Sequence, residues 1–457
     1  MKLVQPTLES RTLLINHGYQ SVAHVPVLLG GEGDYPELMN RYMRARALRE
    51  WIPRMGTYAS EPKPRLGAAM LSVKTLEAIG RKLCLFHDWL NRKNQDPLQL
   101  NYSDLLEWQD ELINAGEIRT SVEAKKHSTA NAYVSEGCLY LTWLSLVPKN
   151  PDGSALRPPF EVLAREDRVE YYKGDRAHKT TMLVESRLGA LAIRPTRITL
   201  PSDQAIVRWL RAMNARSEIK ALMSEVALDS GMRISEINQM VVDTLPPADE
   251  WRTVGGRVHF WISRGVKGPK VRPDSVVAIR GREVSLSLPL ARKIDHYRKN
   301  GREIQIRRWI RSAINKSEQA RRAGSRPQRL WLSEYSNAPF ANQQLRDTWG
   351  KSWCAVKRVM PSEPDTWCPH RARHWFAVEL LVNAALARQD AQGRGVPELT
   401  WLEGIMRDHI DLLIRPELGH LSDATTRLYL RAALLKLEER FGSPSVRWQD
   451  YADQEDS

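Results

Sequence analysis

With 457 residues, 42% of them hydrophobic and 15 of them tryptophan, the chain is long enough for more than one domain, each with a real core. Its 68 Lys/Arg outweigh 54 Asp/Glu, and the net charge of +14 with an isoelectric point near 9.6 points to a polyanionic partner. Scattered cysteines without C-x-x-C spacing argue against a disulfide framework or a zinc site, and no long apolar run or Walker-type loop suggests a membrane span or ATP.

Residues 1–66 carry Gly30, Gly31, Gly33 and Pro36, then Pro53, Pro62 and Pro64, which predicts an irregular extension with one short helix around Tyr42 to Trp51. The first residues lack the apolar core of a signal peptide. Residues 67–150 show three helical patterns. In the first, Val73, Leu76, Ile79, Leu83, Phe86 and Leu90 recur at helical steps; the second ends at Gly116. The third sets Lys125, Lys126 and Thr129 ahead of Tyr133, Leu139, Leu141, Trp143 and Leu144. Polar and basic residues at one end of a helix are candidate phosphate contacts, or simply solvated. Residues 151–197 are charged, dotted with Gly and Pro and weakly periodic, as a linker would be.

From residue 198 amphipathic patterns through Ile206, Trp209, Leu210 and Met213, then Leu222, Val226 and Leu228, lead to GMRISEINQM, where Gly231 ends one helix and Ser235, Glu236 and Ile237 begin the next. Arg233 stands at that junction. The run VHFWISRGVKGPKVRPDSVVAI predicts a β-hairpin around Gly268 and Pro269 with Lys267 at its tip. Between 264 and 329 there are 19 Lys/Arg against 5 Asp/Glu, an excess as large as the net charge of the whole chain. In HRARHWFAVELL, His370 and Arg373 share one helical face while Phe376, Ala377, Leu380 and Leu381 would bury the other. Cys368 precedes His370 by two, but no second Cys/His pair completes a metal site, and a core thiol is expected. Farther on, LGHLSDATTRLYL holds His420 and Tyr429, and Leu430, Ala433, Leu434, Leu437 and Phe441 form an apolar stripe behind them. Residues 442–457 make a short acidic tail, expected to be disordered.

These residue types suit one chemistry. Attack on a phosphodiester builds charge on its non-bridging oxygens, and guanidinium groups meet that charge with forked donors at any working pH. A tyrosine hydroxyl is a weak nucleophile near neutrality and needs a positive pocket or a base. The departing sugar oxygen needs a proton, which a lysine on a hairpin can deliver.

In order and context, Arg233, Lys267, His370 with Arg373, and His420 with Tyr429 closely resemble the tyrosine recombinase, or phage integrase, family. The resemblance spans roughly residues 70–440 and is strongest after 222. It implies a mainly α fold with a small antiparallel β-sheet: a C-shaped clamp on DNA, made of a helical core-DNA-binding domain at 67–150 and a catalytic domain at 198–441. It further implies that Tyr429 forms a 3′-phosphotyrosyl link, freeing a 5′-hydroxyl, and that strand exchange passes through a Holliday junction without metal, nucleotide or other cofactor. Lys267 matches the hairpin's first lysine, with Lys270 as a competitor, and Lys270 and Arg272 join the expected DNA contacts. Glu236 and His374 are the expected supporting residues. Implied partners are double-stranded DNA at specific sites, further copies in a tetramer, and accessory DNA-bending or partner recombinase proteins, in a cytoplasmic setting with no membrane. The segment after Tyr429 would pack on its own domain or, as the resemblance implies, dock on a neighbouring copy. Two departures stand out: residues 384–416 are longer than the family usually has there, and Ala372 stands where leucine is common. Kindred readings are a transposase of the same catalytic family and a type IB topoisomerase; a catalytically idle DNA-binding protein is the alternative from another class.

Overall fold

The computed structural model describes residues 1–31, 33–53, 71–114, 124–172, 179–192, 198–267, 275–334, 336, 338–392 and 423–441. The fold is mainly helical with small antiparallel sheets. The chain forms two compact units, one from residues 1–195 with 269–275 and one from 196–268 with 276–457. Among the described residues no helix is long and apolar enough to cross a membrane.

In the first unit, β1 (Lys2–Val4) pairs antiparallel with β2 (Val27–Leu29), with α1 (Leu8–Asn16) between them. Next come α2 (Glu37–Leu48), α3 (Val73–Lys93), α4 (Tyr102–Asn114) and α5 (His127–Leu146). The periodic residues Leu76, Ile79, Leu83, Phe86 and Leu90 of α3 are buried, and the Ser72 hydroxyl accepts from Thr75 N–H at 3.2 Å to start that helix. Trp89, Trp108, Trp143, Tyr42, Tyr140 and Phe86 are buried in ring contact with one another in the core.

Two segments differ from the expectation. Residues 1–66 are no mere extension: Leu28, Met39, Tyr42 and Met43 are buried in the same core as α3 to α5. Asn40 fixes β2 to α2, its amide accepting from Leu28 N–H at 2.8 Å and donating to Leu28 O at 2.9 Å. Tyr42 and Arg46 both donate to the buried Glu136 of α5, at 2.7 and 2.8 Å. Nor is 151–197 wholly a linker, for it contains an antiparallel hairpin, β3 (Ala164–Tyr172) with β4 (Lys179–Arg187). Its flanks are tied down as well. Arg157 donates to Pro97 O (2.8 Å) and Leu100 O, Tyr102 to Leu188 O (2.6 Å), Gln109 to Gly189 O (2.8 Å) and Asn131 to Leu191 O (2.9 Å). Gly116 lies outside the described residues.

The second unit opens with α6 (Asp203–Asn214) and α7 (Glu218–Ser230), capped by Ser202 and Ser217, and the single turn and a half of α8 (Ile234–Asn238). A sheet of order β5 (Arg252–Val254), β6 (Arg257–Arg264), β7 (Val277–Ser287) follows, all antiparallel. Then come α9 (Leu288–His296), α10 (Arg302–Arg311), α11 (Lys316–Gly324), α12 (Asn342–Val359), α13 (Pro369–Gln392) and α14 (Asp423–Phe441). Trp209, Trp331, Trp349, Trp353 and Trp367 anchor one core, and Phe376, Ala377, Leu381, Tyr429, Ala433 and Leu437 join α13 to α14 in another. The stripe behind Tyr429 therefore packs on its own unit, where Lys436 also bonds Asp203 of α6 at 2.7 Å and Glu379 of α13. Residues 393–422 and 442–457, with most of the long insertion and the acidic tail, lie outside the described residues.

Candidate active site

The site grows from helix ends. Helix α7 stops at Gly231, whose left-handed backbone (φ 59°) suits glycine. Two residues later Arg233 stands at the N-terminus of α8. Glu236 turns back to accept from the Arg233 N–H at 2.7 Å and from its Nη1 at 2.9 Å. A backbone bond and a side-chain bond thus fix one arginine, leaving it only partly exposed to solvent.

Glu236 is itself fully buried and has a second cation, Arg282 of β7, donating from Nη2 at 2.7 Å. Burial alone would raise the Glu236 carboxyl; the Arg282 charge and hydrogen bond, with Arg233 behind them, hold it below the usual carboxylate range. Arg282 is a residue that sequence reasoning missed. The signal was present, since Arg282, Val284 and Leu286 alternate on the inward face of β7, and a buried cation there requires a buried acid.

We expect Glu236→Ala to leave the Arg282 charge buried without its partner and to cost about 3–5 kcal/mol. In a unit of this size that is a melting shift of roughly 2–4 °C per kcal/mol, measurable by calorimetry. Adding Arg282→Met should recover much of it; a full additive loss would show that the pair does not interact. Because the folded carboxyl is lowered, the pair's contribution is complete above the unfolded carboxylate value and is lost as pH falls through the folded one.

Arg373 enters from α13. It is 4% exposed, and its Nη1 donates to Gly231 O at 2.9 Å, joining α13 to the end of α7. Burial, then Arg233 and Arg282, push Arg373 down to about 9, against the opposing pull of Glu236 and Tyr429. It keeps its charge at neutral pH, in a place crowded with cations and short of anions. His370, one turn earlier, is held below its ordinary value by partial desolvation and then by Arg373, Arg233 and Lys267.

Lys267 follows the root of the β6–β7 hairpin. Gly265 (φ 72°) donates to Val276 O at 2.8 Å and accepts from the Ser235 hydroxyl at 3.0 Å. A Cβ at Gly265 would lie 2.2 Å from Ser235 O, so only glycine lets the hairpin root meet α8. The segment that leads to Lys267 is thereby tied to the helix that Arg233 begins. Lys267 lies three residues past the end of β6, and residues 268–274, with Lys270 and Arg272 and the expected turn at Gly268 and Pro269, lie outside the described residues.

Tyr429 comes from α14 and is 1% exposed. Its hydroxyl lies 2.7 Å from His374 Nδ1. Burial pushes Tyr429 up to about 12, with Arg373 and Arg233 pulling the other way. Burial, then His370, Arg373 and Arg371, push His374 down to about 4. The tyrosine is therefore protonated and the imidazole neutral at neutral pH.

The second unit thus brings together Arg233, Lys267, His370, Arg373 and Tyr429, with Glu236 and His374 in supporting contact. His420 lies outside the described residues. Lys125, Lys126 and Thr129 fall at the start of α5 in the first unit; Lys126 is exposed and the other two are half-buried. Cys368 is exposed rather than in the core, because its position just before Pro369 serves to start α13: its carbonyl accepts from Arg371 N at 2.9 Å and Ala372 N at 3.2 Å. Among the described residues no group of three His, Cys, Asp or Glu is placed to hold a metal ion.

No protein-family model and no curated protein matches the sequence. Solved structures do. One is the XerH site-specific recombinase bound to a palindromic difH substrate in a post-cleavage complex, at 13% identity over 82% of this chain and 80% of that chain, TM-score 0.46. The chain is similar to solved tyrosine recombinases and integrases. The Tn1549 transposon integrase in complex with transposon right end DNA matches at 13% identity, over 80% of this chain and 91% of that one, TM-score 0.44. A lambda integrase dimer bound to a COC′ core site matches at 12% identity, over 86% and 94%, TM-score 0.42. These likenesses concern the fold and assign no residue a role.

Proposed function

We propose that the chain is a site-specific DNA recombinase that cuts and rejoins DNA through Tyr429. The observation that carries this reading is the meeting of Tyr429 with two fixed arginines in a buried, cation-rich setting. Phosphoryl transfer is mostly a matter of placing positive charge where negative charge develops, and an arginine pair with one buried member is preorganised for it. The Tyr429 oxygen attacks phosphorus, the bond to the 5′-oxygen breaks, and the 5′-oxygen leaves as a hydroxyl. The phosphate stays on tyrosine, so the bond energy is kept for the reverse attack by a partner strand. Integration or excision of a mobile element through a Holliday junction, assembly as a tetramer on paired sites, and DNA contacts from Lys125, Lys126, Thr129, Lys270 and Arg272 belong to the same proposal, as do His370 as an orienter and His420 as part of the positive field.

The test lets the protein select its own target. A pool of duplexes with randomised sequence around a single nick is incubated with the full chain, so that cleavage beside the nick releases a short fragment and strands the protein on DNA. Covalent complexes are then recovered under denaturing conditions and sequenced. Adducts that share a sequence support the reading and give the site; no adduct from the wild-type chain would overturn it.

The same substrate decides which lysine protonates the leaving oxygen. Lys267 is favoured because its charge reaches His370 within the site. Lys267→Ala should be slow on ordinary DNA and restored when sulfur replaces the bridging 5′-oxygen, since a thiolate leaves without a proton. Lys270→Ala should be little affected on either, and a rescue seen only with Lys270→Ala would move the role to that residue.

A further inference from the structure

We infer that His374 is the catalytic base for Tyr429, its Nδ1 accepting the phenolic proton as the tyrosine oxygen bonds to phosphorus. The inference rests on the reading of Tyr429 as the nucleophile and adds to it the destination of the proton. Three observations carry it. The first is distance: Nδ1 lies 2.7 Å from the Tyr429 hydroxyl, inside the range for proton transfer. Both groups come from packed helices. Tyr429 is 1% exposed, and Phe376, Ala377 and Leu381 of α13 are buried beside it, so water is poorly placed to take the proton instead.

The second is the state of each partner. Tyr429 is pushed up to about 12 by burial, and His374 down to about 4 by burial and by His370, Arg373 and Arg371. The phenol therefore holds the proton and the imidazole is free to receive one. A neutral imidazole carries a single N–H, and with the phenol as donor that hydrogen sits on Nε2.

The third is the division of labour along α13. His370, His374 and Arg373 stand within two turns, the two imidazole rings edge to face at 4.7 Å. His370 feels Arg373 and Arg233, assigned to the phosphate, and Lys267, assigned to the leaving oxygen. His374 holds the Tyr429 hydroxyl instead. One histidine serves the phosphate and the other the nucleophile.

In the resting chain the transfer is uphill, since the proton would move from a strong binder to a weak one close to Arg373. A seated phosphate changes both sides. Its charge offsets the cations that disfavour protonated His374, and bond formation to phosphorus makes the phenolic oxygen surrender its proton. The step balances. The Tyr429 O–H bond breaks, the proton goes to Nδ1, an O–P bond forms, the P–O5′ bond breaks and the 5′-oxygen takes a proton from the lysine. When a 5′-hydroxyl attacks in the reverse step, His374 returns its proton to the tyrosine.

The experiment uses the full chain and the nicked duplex recovered from the randomised pool. Single-turnover cleavage is followed against pH for wild type, His374→Gln and His374→Asn, with DNA binding measured alongside. The charged and titratable groups facing His374 are His370, Arg371 and Arg373 from its own helix and Tyr429 from α14; their presence in all three proteins makes the comparison fair. Loss of a general base should slow cleavage by about 10²–10⁴-fold with binding unchanged. The variant rates should then climb about tenfold per pH unit, as hydroxide takes over, while wild type stays level from about pH 6 to 9. Asparagine keeps an acceptor near Nδ1 but cannot hold the proton. A wild-type rate and level profile in His374→Asn would reduce His374 to a positioning acceptor and overturn the inference.

Histidine ring-nitrogen NMR gives an answer that does not depend on how the His374 variants fold. Hydrogen on Nε2, with the Nδ1 resonance moving in Tyr429→Phe, is expected; hydrogen on Nδ1 would overturn the inference. A wild-type chain that forms no adduct would instead sink the recombinase reading itself, so the two failures are told apart.

Discussion

Tyr429→Phe is expected to bind the recovered duplex as tightly as wild type and to form no covalent adduct at all. The change removes a single oxygen from a side chain whose ring is held by Phe376, Ala377 and Leu381, so the packing of α14 on α13 should survive. The structural cost is one buried hydrogen bond to His374, about 0.5–1.5 kcal/mol and too small to unfold the unit. The loss of chemistry is total, because no other described hydroxyl is placed within hydrogen-bond reach of His374. Denaturing gels of protein mixed with labelled duplex provide the measurement. An adduct at the wild-type level in Tyr429→Phe would remove Tyr429 from the mechanism.

Arg373→Ala should come second in size. One preorganised donor facing a developing oxyanion is commonly worth about 10²–10³-fold in rate. Arg373 should exceed that, since it also anchors α13 to Gly231 O and sits where burial strengthens every charge. Binding should fall far less than rate, because the contact tightens as charge accumulates in the transition state. Arg373→Lys should recover little: an ammonium is a compact point charge and cannot present the planar fork. Equal losses of affinity and rate, from equilibrium binding and single-turnover cleavage, would make Arg373 an ordinary phosphate anchor.

Much of the candidate site was legible because its residues carry local marks. Gly231 ahead of Arg233, the spacing of His370 and Arg373, and the pairing of the strands on either side of Lys267 each follow from turn chemistry, helical period or strand pattern, whereas the turn placed at Gly268 and Pro269 lies outside the described residues. Arg282 was not legible in that way. It lies 46 residues from the acid it serves, and only the strand register that sets Arg282 opposite Ile262 brings its face of β7 inward toward Glu236. The contact between Tyr429 and His374 was hidden for the same reason: they are 55 residues apart and meet only when α14 packs on α13.

In the first unit the helical stripes of α3 and α5 were plain, whereas 1–66 and 151–197 misled. Strand β3, AREDRVEYY, alternates charge rather than apolarity, so period-two reasoning finds no buried face in it. The glycines and prolines of the first segment pointed to loops, and Met39, Tyr42 and Met43 between them fill the core all the same.

The way the first unit closes on itself bears on where the chain can be cut and rejoined. Chimeras that trade one domain for another succeed when the joint falls where few contacts cross. A joint drawn at residues 67 and 150, where composition alone places the borders, would part Tyr42 and Arg46 from Glu136 and strip the Arg157, Leu188, Gly189 and Leu191 straps from the α3–α4 connection, α4 and α5. The piece that keeps these contacts is the first unit taken whole, which comprises residues 1–195 and also 269–275. Any exchange of the unit would be held to the same borders, so its leading strand and trailing hairpin should travel together.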